Sequence, residues 1–518
     1  MQDRVLIVGG GPVGLVLACE LKQQGVDARV IDAERRLSQH SRSNVIWSRS
    51  LELLDRIGVA DALVAQGHQA DGIAYYSYGR RLGATLVRKL DDLVYPFALM
   101  IPQNDTEAVL EQRFTELGGR IERGVRLTYL DASGDRPVAK LEHADGQVEE
   151  TTVDWLIGAD GAHSTVRKQL GIEYDGPQVN VTIAITDAVI DSALDNRLAH
   201  HCYSLHGSLV LAPLGGDVYR IAVSVPHQED GTAPSRELFQ RLIDERAPGS
   251  NTVGELSWST YYRIRCATAA TFRAGRCFLA GDAAHIISPA AGQGMNTGIQ
   301  DAVNLGWKLG AVIRGTSDEQ ILDSYDRERR QVVQRVARAS AFQTKFGVVG
   351  SRYKVAIRDA AIMGAHYTGL LQRYMARQLS QTNVQYTEEE PSGLATLAGR
   401  PAEVPPGARL PVRLGGAEGP SNSGYWPTVA ADGYTVLLWR GRAAHAGWQQ
   451  ARDRIRAALA ADVSVLDLAS SAPAPLARAL GDAPTAAIVR PDGHLLTRVP
   501  VHRPDRLAEE LRLAAGRL

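Results

Sequence analysis

The sequence is poor in cysteine and has no uninterrupted apolar run of membrane-spanning length. Its four cysteines form no CxxC pair, so neither a disulfide framework nor a zinc site is expected, and we predict no metal site. A transmembrane helix needs roughly 18 consecutive apolar residues, and no stretch reaches that length. These absences favour a cytoplasmic protein without a membrane partner.

The chain also lacks an excess of charge of either sign. Among 518 residues, 57 are Lys or Arg and 58 are Asp or Glu, which gives a formal net charge of -1. A nucleic-acid-binding protein needs a basic surface that neutralises phosphates, so nucleic acid is not an expected partner. The 44% hydrophobic and 22% charged content is typical of a globular protein, and the length predicts about two to four domains.

The chain opens with a strand pattern, a glycine turn and an apolar helical pattern, followed by a second strand pattern that ends at Asp32. Gly9-x-Gly11-x-x-Gly14, with Val13 inside the turn, lets the backbone approach a pyrophosphate at a helix N-terminus. Asp32 stands where an acid can accept hydrogen bonds from an adenosine ribose. The turn interrupts the apolar start, so we expect no signal peptide there. This pattern favours dinucleotide binding but does not choose between NAD and FAD.

Two further segments narrow that choice. The first is Gly158 to Arg167, which contains Asp160, Ser164 and Arg167 after a buried strand. The second runs from Gly281 and Asp282 through Pro289-Ala-Ala-Gly-Gln-Gly-Met-Asn296 into an amphipathic helix.

In order, the three segments resemble the FAD fingerprint, the shared FAD and NAD(P)H motif and the ribityl-binding motif of the FAD-dependent aromatic hydroxylases. This family of class A flavoprotein monooxygenases is typified by para-hydroxybenzoate hydroxylase and phenol hydroxylase, and the resemblance runs from about Arg4 to Arg335. It implies FAD as cofactor and NAD(P)H as a transient co-substrate. The cofactor-binding residues it implies are Gly9, Gly11, Val13, Gly14, Asp32, Arg42, Gln103, Asp160, Asp282, Gly292, Gly294, Met295 and Asn296.

The resemblance also implies roles for these residues. Arg42 would meet the FAD pyrophosphate, Gln103 and Asp282 the ribityl chain, and Met295 and Asn296 the isoalloxazine ring through their main-chain groups. A helix N-terminus at this loop would stabilise the negative charge of reduced flavin. Where the family usually has two consecutive glycines, this chain has Ala291 and then Gly292, so we expect a more restricted loop and altered flavin motion.

The order of elements predicts an α/β fold with a Rossmann-type FAD-binding domain at 1–178 and 265–380. A mostly antiparallel substrate-binding sheet is predicted at 179–264, and a linker at 381–407. Residues 408–518 resemble the thioredoxin-like domain of some phenol hydroxylase relatives, with Arg490-Pro-Asp-Gly-His494 as its recurrent turn. Without CxxC this region cannot perform dithiol chemistry, so we expect it to support the fold or a subunit contact.

As the resemblance implies, NAD(P)H would reduce FAD, dioxygen would form a flavin C4a-hydroperoxide, and its distal oxygen would pass to an aromatic ring. The substrate would be phenolic or polycyclic, of the secondary-metabolite type, and the partners would be this substrate and dioxygen. The flavin carries the chemistry, so no catalytic residue is assigned. Trp47, Tyr203, His206, Arg220 and Trp258 are the candidate substrate contacts, and the protein is expected to be a monomer or homodimer.

Other functions stay open at this point. Flavin halogenases usually show a Trp-x-Trp-x-Ile-Pro segment, which this chain lacks. The same flavin chemistry also serves epoxidation or oxygen-inserting ring rearrangement. A non-catalytic binding protein on the same fold is the third alternative, against which the intact cofactor motifs argue.

Overall fold

A computed structural model describes residues 4–36, 43–176, 181–226, 232–387, 403–414, 427–442, 447–459, 463–468 and 472–514. The predicted pyrophosphate contact Arg42 and most of the predicted linker lie outside these residues. The α-helices, numbered in chain order, are α1 (Pro12–Gln23), α2 (Ser48–Arg56), α3 (Ala60–Gln66), α4 (Gln103–Glu116), α5 (Thr165–Gln169), α6 (Arg236–Arg246), α7 (Gln293–Ile313), α8 (Asp323–Gly347), α9 (Arg352–Tyr367), α10 (Leu370–Leu379), α11 (Trp448–Ala458), α12 (Ala474–Leu480) and α13 (Pro504–Ala514).

The strands are likewise numbered in chain order. Those before residue 180 are β1 (Val5–Val8), β2 (Arg29–Asp32), β3 (Val45–Ile46), β4 (His68–Ala70), β5 (Gly72–Ser77), β6 (Arg80–Leu86), β7 (Ala98–Met100), β8 (Ile121–Arg123), β9 (Arg126–Asp131), β10 (Val138–Glu142), β11 (Val148–Thr152), β12 (Trp155–Gly158) and β13 (Tyr174–Asp175). Those after it are β14 (Thr182–Ser192), β15 (Leu198–Ser204), β16 (Gly207–Gly215), β17 (Val218–Val225), β18 (Asn251–Arg263), β19 (Ala267–Ala269), β20 (Arg273–Ala274), β21 (Cys277–Leu279), β22 (His285–Ile286), β23 (Arg413–Leu414), β24 (Thr428–Val429), β25 (Thr435–Trp439), β26 (Ser464–Asp467), β27 (Thr485–Val489) and β28 (Leu495–Pro500).

A six-stranded sheet in the order β20-β21-β12-β1-β2-β8 forms the centre of the N-terminal half. Strand β1 pairs in parallel with both β2 and β12, and α1 makes the crossover between β1 and β2. Helix α7 packs along α1, where an added Cβ at Gly306 would lie 2.9 Å from Glu20 Cβ. The predicted α/β fold is confirmed, and the glycines on α7 mark this close helix contact.

A seven-stranded sheet in the order β18-β14-β17-β16-β15-β5-β6 lies beside the first. It is antiparallel except for the pair β15 and β5. The predicted range 179–264 contains five of its strands, and the segment Gly72–Leu86 supplies β5 and β6. One face packs against α6, and the other floors a cavity, because successive side chains of a strand point to opposite faces.

The C-terminal region forms a four-stranded sheet in the order β26-β25-β27-β28, with only β25 and β26 parallel. Helix α11 connects β25 to β26, α12 connects β26 to β27, and α13 follows β28. Val436 and Leu438 face a local core with α11 and α13, whereas Leu437 and Trp439 join the main core of the protein. This region is therefore packed onto the rest of the chain.

Buried charges on α2 reinforce that packing. Arg409 donates to the Glu52 carboxylate, and Arg413 Nε donates to Asp55 Oδ2 at 2.8 Å. Arg49 and Arg56 donate to main-chain carbonyls of Asp492 and Pro491, in the predicted Arg490–His494 turn. Because a buried charge is costly without a partner, these pairs fix the orientation of the two parts.

Within the described ranges, no helix has both the length and the apolar character that a bilayer crossing requires.

Candidate active site

One cavity of ≈ 460 Å³ lies between the glycine turn after β1 and the free face of the seven-stranded sheet. The loop from Pro289 to Met295 closes its side. Three segments that are far apart in sequence therefore line one cavity. The carboxyl ends of parallel strands, where this cavity begins, are the usual ligand position in such folds.

The glycine turn is held by contacts that exclude larger side chains. Gly9 has φ +113°, and a Cβ there would lie 2.3 Å from Ala159 O. A Cβ on Gly14 would lie 2.0 Å from Gly9 O. Gly11 differs, because its Cβ would meet no protein atom within 4 Å and the residue lines the cavity. The turn thus presents bare backbone to whatever occupies the cavity.

Asp32 fastens this turn at the end of β2. Its Oδ2 accepts from the Gly10 N–H at 2.8 Å, and its Oδ1 accepts from the Glu34 N–H at 2.8 Å. A carboxylate has further lone pairs beyond these contacts. Ribose binding by Asp32 therefore stays a prediction.

Asp160 lies in the turn between β12 and α5. Its carboxylate accepts from Ser164 Oγ and from the N–H groups of Thr165 and Val166, at 2.5, 2.7 and 3.2 Å. Desolvation by burial raises the pKa of Asp160, although these hydrogen bonds act against the rise. Its neighbours Ala159 and Gly161 line the cavity, so its observed contacts shape the wall.

Polar side chains also line the cavity. Asp282 follows β21, Gln103 begins α4, and both line the cavity together with Asn44. Gln103 Nε2 donates to Glu107 Oε1 at 2.8 Å. Asn44 Nδ2 is buried and finds no hydrogen-bond partner within the described part of the chain. A buried donor without a partner is costly, which points to a ligand acceptor at this position.

The loop before α7 has two consecutive left-handed residues, Ala291 at φ 61° and Gly292 at φ 61°. A Cβ on Gly292 would lie 2.1 Å from Val45 Cγ1, so this position requires glycine. Asn296 Nδ2 donates to the carbonyls of Val45 and Gly292 at 2.9 and 2.8 Å. The Asn296 side chain therefore holds the loop, while Gly294 and Met295 line the cavity.

Trp47 connects this loop to α2. Its main-chain N–H donates to Asn296 Oδ1, and its indole Nε1 donates to Ala291 O, both at 2.8 Å. Of the five predicted substrate residues, Trp47 and Arg220 line the cavity.

Tyr203, His206 and Trp258 are not among the described residues that line the cavity. His206 is exposed at the turn between β15 and β16. The Tyr203 ring lies 4.4 Å from the ring of His201, which does line the cavity. Burial, with a smaller contribution from Arg358, lowers the pKa of His201 to about 4.

His201 was not predicted, because the segment Leu198–Ser204 was not identified as a strand. Once β15 is placed, His201 lies on the cavity face with Ala199. The available signal in the sequence was the two-residue spacing of Ala199 and His201, which places both side chains on one face of a strand.

Arg220 is the charged side chain of the cavity floor. It lies opposite Asp187 across β17 and β14, and Trp258 Nε1 donates to Asp187 Oδ2 at 2.9 Å. The neighbouring floor residues are Ile183, Ile185, Val210, Ala212 and Ala222. Ser208, Ser224 and Thr260 also line the cavity from this sheet, so its floor combines apolar side chains with hydroxyl groups and the Arg220 guanidinium.

Comparison with known proteins identifies the fold and its lineage. The family model described as FAD binding domain matches residues 2–340. The chain is 40% identical over 358 residues to 6-methylpretetramide 4-monooxygenase of Streptomyces rimosus, covering 68% of this chain and 63% of that protein. The chain belongs to the FAD-dependent aromatic monooxygenases.

Two other members align over nearly the whole chain. An uncharacterized aromatic compound monooxygenase of Bacillus subtilis, YhjG, is 32% identical over 524 residues, covering 98% of this chain and 96% of that protein. The structure of the OxyS anhydrotetracycline hydroxylase from Streptomyces rimosus superimposes with a TM-score of 0.74 at 28% identity, covering 100% of this chain and 99% of that one. The C-terminal region is thus shared with other FAD-dependent monooxygenases.

The residues present fit FAD. Gly11 offers open backbone where a pyrophosphate needs close approach, and Asn44 offers a buried donor without a partner. Asp282 and Gln103 add a carboxylate and an amide to the cavity lining. These groups suit the polar parts of a dinucleotide, whereas the sheet floor suits an apolar ring.

Proposed function

We propose that this protein is an NAD(P)H-using FAD monooxygenase that hydroxylates a phenolic or polycyclic aromatic substrate. The observation that carries the proposal is the cavity in which the glycine turn and several polar side chains meet a sheet floor that combines apolar residues with Arg220. When bound, FAD would supply a group that NAD(P)H can reduce and that, once reduced, can activate dioxygen. The chain itself supplies binding, orientation and exclusion of water.

The FAD contacts are proposed along the polar side of the cavity. Gly9, Gly11, Val13 and Gly14, together with Arg42, would hold the pyrophosphate at the N-terminus of α1, and Asp32 would accept from the adenosine ribose. Gln103 and Asp282 would contact the ribityl chain. The loop from Gly292 to Asn296 would meet the ring, and Asp160 would act through the shape of its turn.

The substrate is proposed to lie on the sheet floor. The side chains of Ile185, Val210 and Ala222 give it an apolar surface, which suits an aromatic ring. Arg220 can donate to a phenolate, carbonyl or carboxylate oxygen and so set which edge of the ring faces the flavin. Trp47 would close the opposite side. The similarity to 6-methylpretetramide 4-monooxygenase, which by its name acts on 6-methylpretetramide, supports a polycyclic substrate here.

We also propose the division of the chain into an FAD-binding part at 1–178 and 265–380, a substrate-binding sheet at 179–264 and a thioredoxin-like part at 408–518. The strand order β26-β25-β27-β28 with its helices supports the thioredoxin-like assignment. All four cysteines precede this part, so its role would be structural.

The test begins with FAD titration of the purified protein and its absorbance spectrum. Anaerobic reduction by NADPH and by NADH is then followed with and without a panel of phenols and polycyclic phenols. We expect a yellow protein whose reduction is accelerated by one ligand class. A protein that stays colourless after FAD addition would contradict the proposal. Reduction of the flavin that no ligand accelerates would indicate an NAD(P)H oxidase instead of a hydroxylase.

A further inference from the structure

Gln381 has a left-handed backbone at a buried position. Its φ is 56°, its exposed fraction is 2%, and it follows α10 closely in the chain. The described residues include only two other non-glycine residues with positive φ, Tyr78 and Ala291. A left-handed non-glycine residue is strained and persists only where its surroundings hold it.

The Gln381 side chain is held by three neighbours. Its Nε2 donates to Gln293 Oε1 at 2.5 Å and to Thr297 Oγ1 at 3.1 Å. Its Oε1 accepts from Gln300 Nε2 at 2.5 Å. A glutamine amide has two N–H donors, so both are used here. All three partners lie on the first turns of α7.

Gln293 links these contacts to the loop from Pro289 to Met295 at the cavity. Its own Nε2 lies 3.4 Å from Ala291 O and 3.4 Å from Leu379 O. One amide therefore lies between the two strained residues, with left-handed Ala291 on one side and left-handed Gln381 on the other. The next residues of the loop, Gly294 and Met295, line the cavity.

We propose that Gln381 is a positioning residue that sets the conformation of the loop from Pro289 to Met295 against the flavin. This inference rests on the proposed function. The cluster consists of amides and a hydroxyl, so it fixes the start of α7 without adding charge near the flavin edge. Without the Gln381 amide, Gln293 loses its anchor, and the left-handed conformation at Ala291 loses its support.

The test compares Gln381→Ala, which removes the amide and keeps a Cβ, with Gln381→Gly, which removes the amide and relieves the backbone strain. We expect both variants to bind FAD roughly ten-fold more weakly than wild type, which matches the loss of buried hydrogen bonds. Both should also change the visible circular dichroism of bound flavin. Gln381→Gly should melt at a higher temperature than Gln381→Ala because glycine accepts positive φ.

Leu507→Ala is the matched control, because Leu507 is buried in the C-terminal core far along the chain from the loop. It should lower the melting temperature and leave the FAD dissociation constant and flavin spectrum unchanged. If Gln381→Ala behaves like Leu507→Ala, the proposal is overturned. If the Gln381 variants do not fold, Gln293→Met tests the same contact from the loop side. It should also weaken FAD binding and change the visible circular dichroism of bound flavin, and if it changes neither, the proposal is overturned. Failure of the proposed function is distinct, because wild type itself would then not bind FAD.

Discussion

Arg220 and Asp187 face each other across neighbouring strands, with Arg220 Nε and Nη2 donating to the two Asp187 oxygens at 2.7 and 2.8 Å. Arg220 Nη1 finds no hydrogen-bond partner in the described part of the chain. The carboxylate thus fixes the guanidinium plane and leaves one donor unused at the cavity floor. Such a donor is suited to orient a substrate oxygen.

Arg220→Met should weaken binding of 3-hydroxy-2-naphthoate to the FAD-loaded protein by roughly ten-fold or more, since a hydrogen bond to a charged group contributes about 1.5–3 kcal/mol. Binding of 2-naphthol, which lacks the carboxylate, should change less. Titration followed by flavin absorbance measures both. Arg126→Gln, exposed on β9, is the control, and an equal loss for both naphthols would contradict substrate orientation by Arg220.

Gly11→Ala should separate folding from cofactor binding. The new Cβ meets no protein atom within 4 Å, so the free energy of unfolding should stay within about 0.5 kcal/mol of wild type. The same methyl lies where FAD must approach the backbone, so the FAD dissociation constant should rise roughly ten-fold or more. Gly134→Ala is the control, because its added Cβ would lie 3.9 Å from the nearest protein atom and neither β9 nor β10, between which it lies, contributes to the cavity lining; it should change neither quantity. Unchanged FAD binding in Gly11→Ala would place the cofactor elsewhere.

Ala291→Gly should stabilise the protein, whereas most alanine to glycine changes destabilise. Ala291 has φ 61°, and relief of left-handed strain is worth about 1 kcal/mol or more, which exceeds the backbone entropy cost of glycine. Ala284→Gly, at a right-handed and buried position, should lose about 1 kcal/mol. Denaturant unfolding compares the two. Equal destabilisation would show that the loop carries no releasable strain.

His201 should make folding stability fall as the pH falls from 6.5 towards 4. Burial lowers the pKa of His201 from 6.5 in the unfolded chain to about 4, so the unfolded chain binds more protons in that window. Stability contributed by the neutral ring is therefore complete above pH 6.5 and is lost below it, by at most about 3 kcal/mol. His201→Gln should flatten this dependence in unfolding titrations. The exposed His206→Gln should not, and identical slopes in both variants would contradict the assignment.

Arg490→Met should disturb the attachment of the C-terminal region. Arg490 donates to Glu328 Oε1 and to Asp492 Oδ2, each at 2.7 Å, and all three side chains are buried or nearly so. Removing one partner of a buried ion pair costs roughly 3–5 kcal/mol. Arg452→Met, which breaks a more exposed pair, should cost less than about 1 kcal/mol. Similar losses in both variants would argue against a buried attachment.

Local pattern predicted those parts of the fold that depend on neighbours in sequence. The glycine turn and the strands before and after it follow from periodicity and turn chemistry, which residues close in the chain determine. Strand β5 was missed because its place in the sheet depends on pairing with β15, whose residues lie more than 120 positions later.

Contacts between distant residues limited the prediction of the site. Asp160 has the spacing of the motif, but its observed hydrogen-bond partners are residues of its own turn. Spacing in the sequence cannot distinguish such a local contact from cofactor binding. Gln381 had no sequence signal, because its role depends on an amide 88 residues away. Arg220 was identified as a polar residue on a strand, whereas its partner Asp187 required the register of β14 and β17.

The fate of dioxygen tests most directly whether the protein hydroxylates an aromatic ring. FAD-loaded protein is incubated with NADPH, isotopically labelled dioxygen and the phenol that most accelerates flavin reduction, and the products are analysed by mass spectrometry. We predict a ring-hydroxylated product that carries one labelled oxygen atom, and we expect less of it from Gly11→Ala and Arg220→Met. NADPH consumption that yields only hydrogen peroxide across the phenol panel, with no labelled organic product, would contradict it.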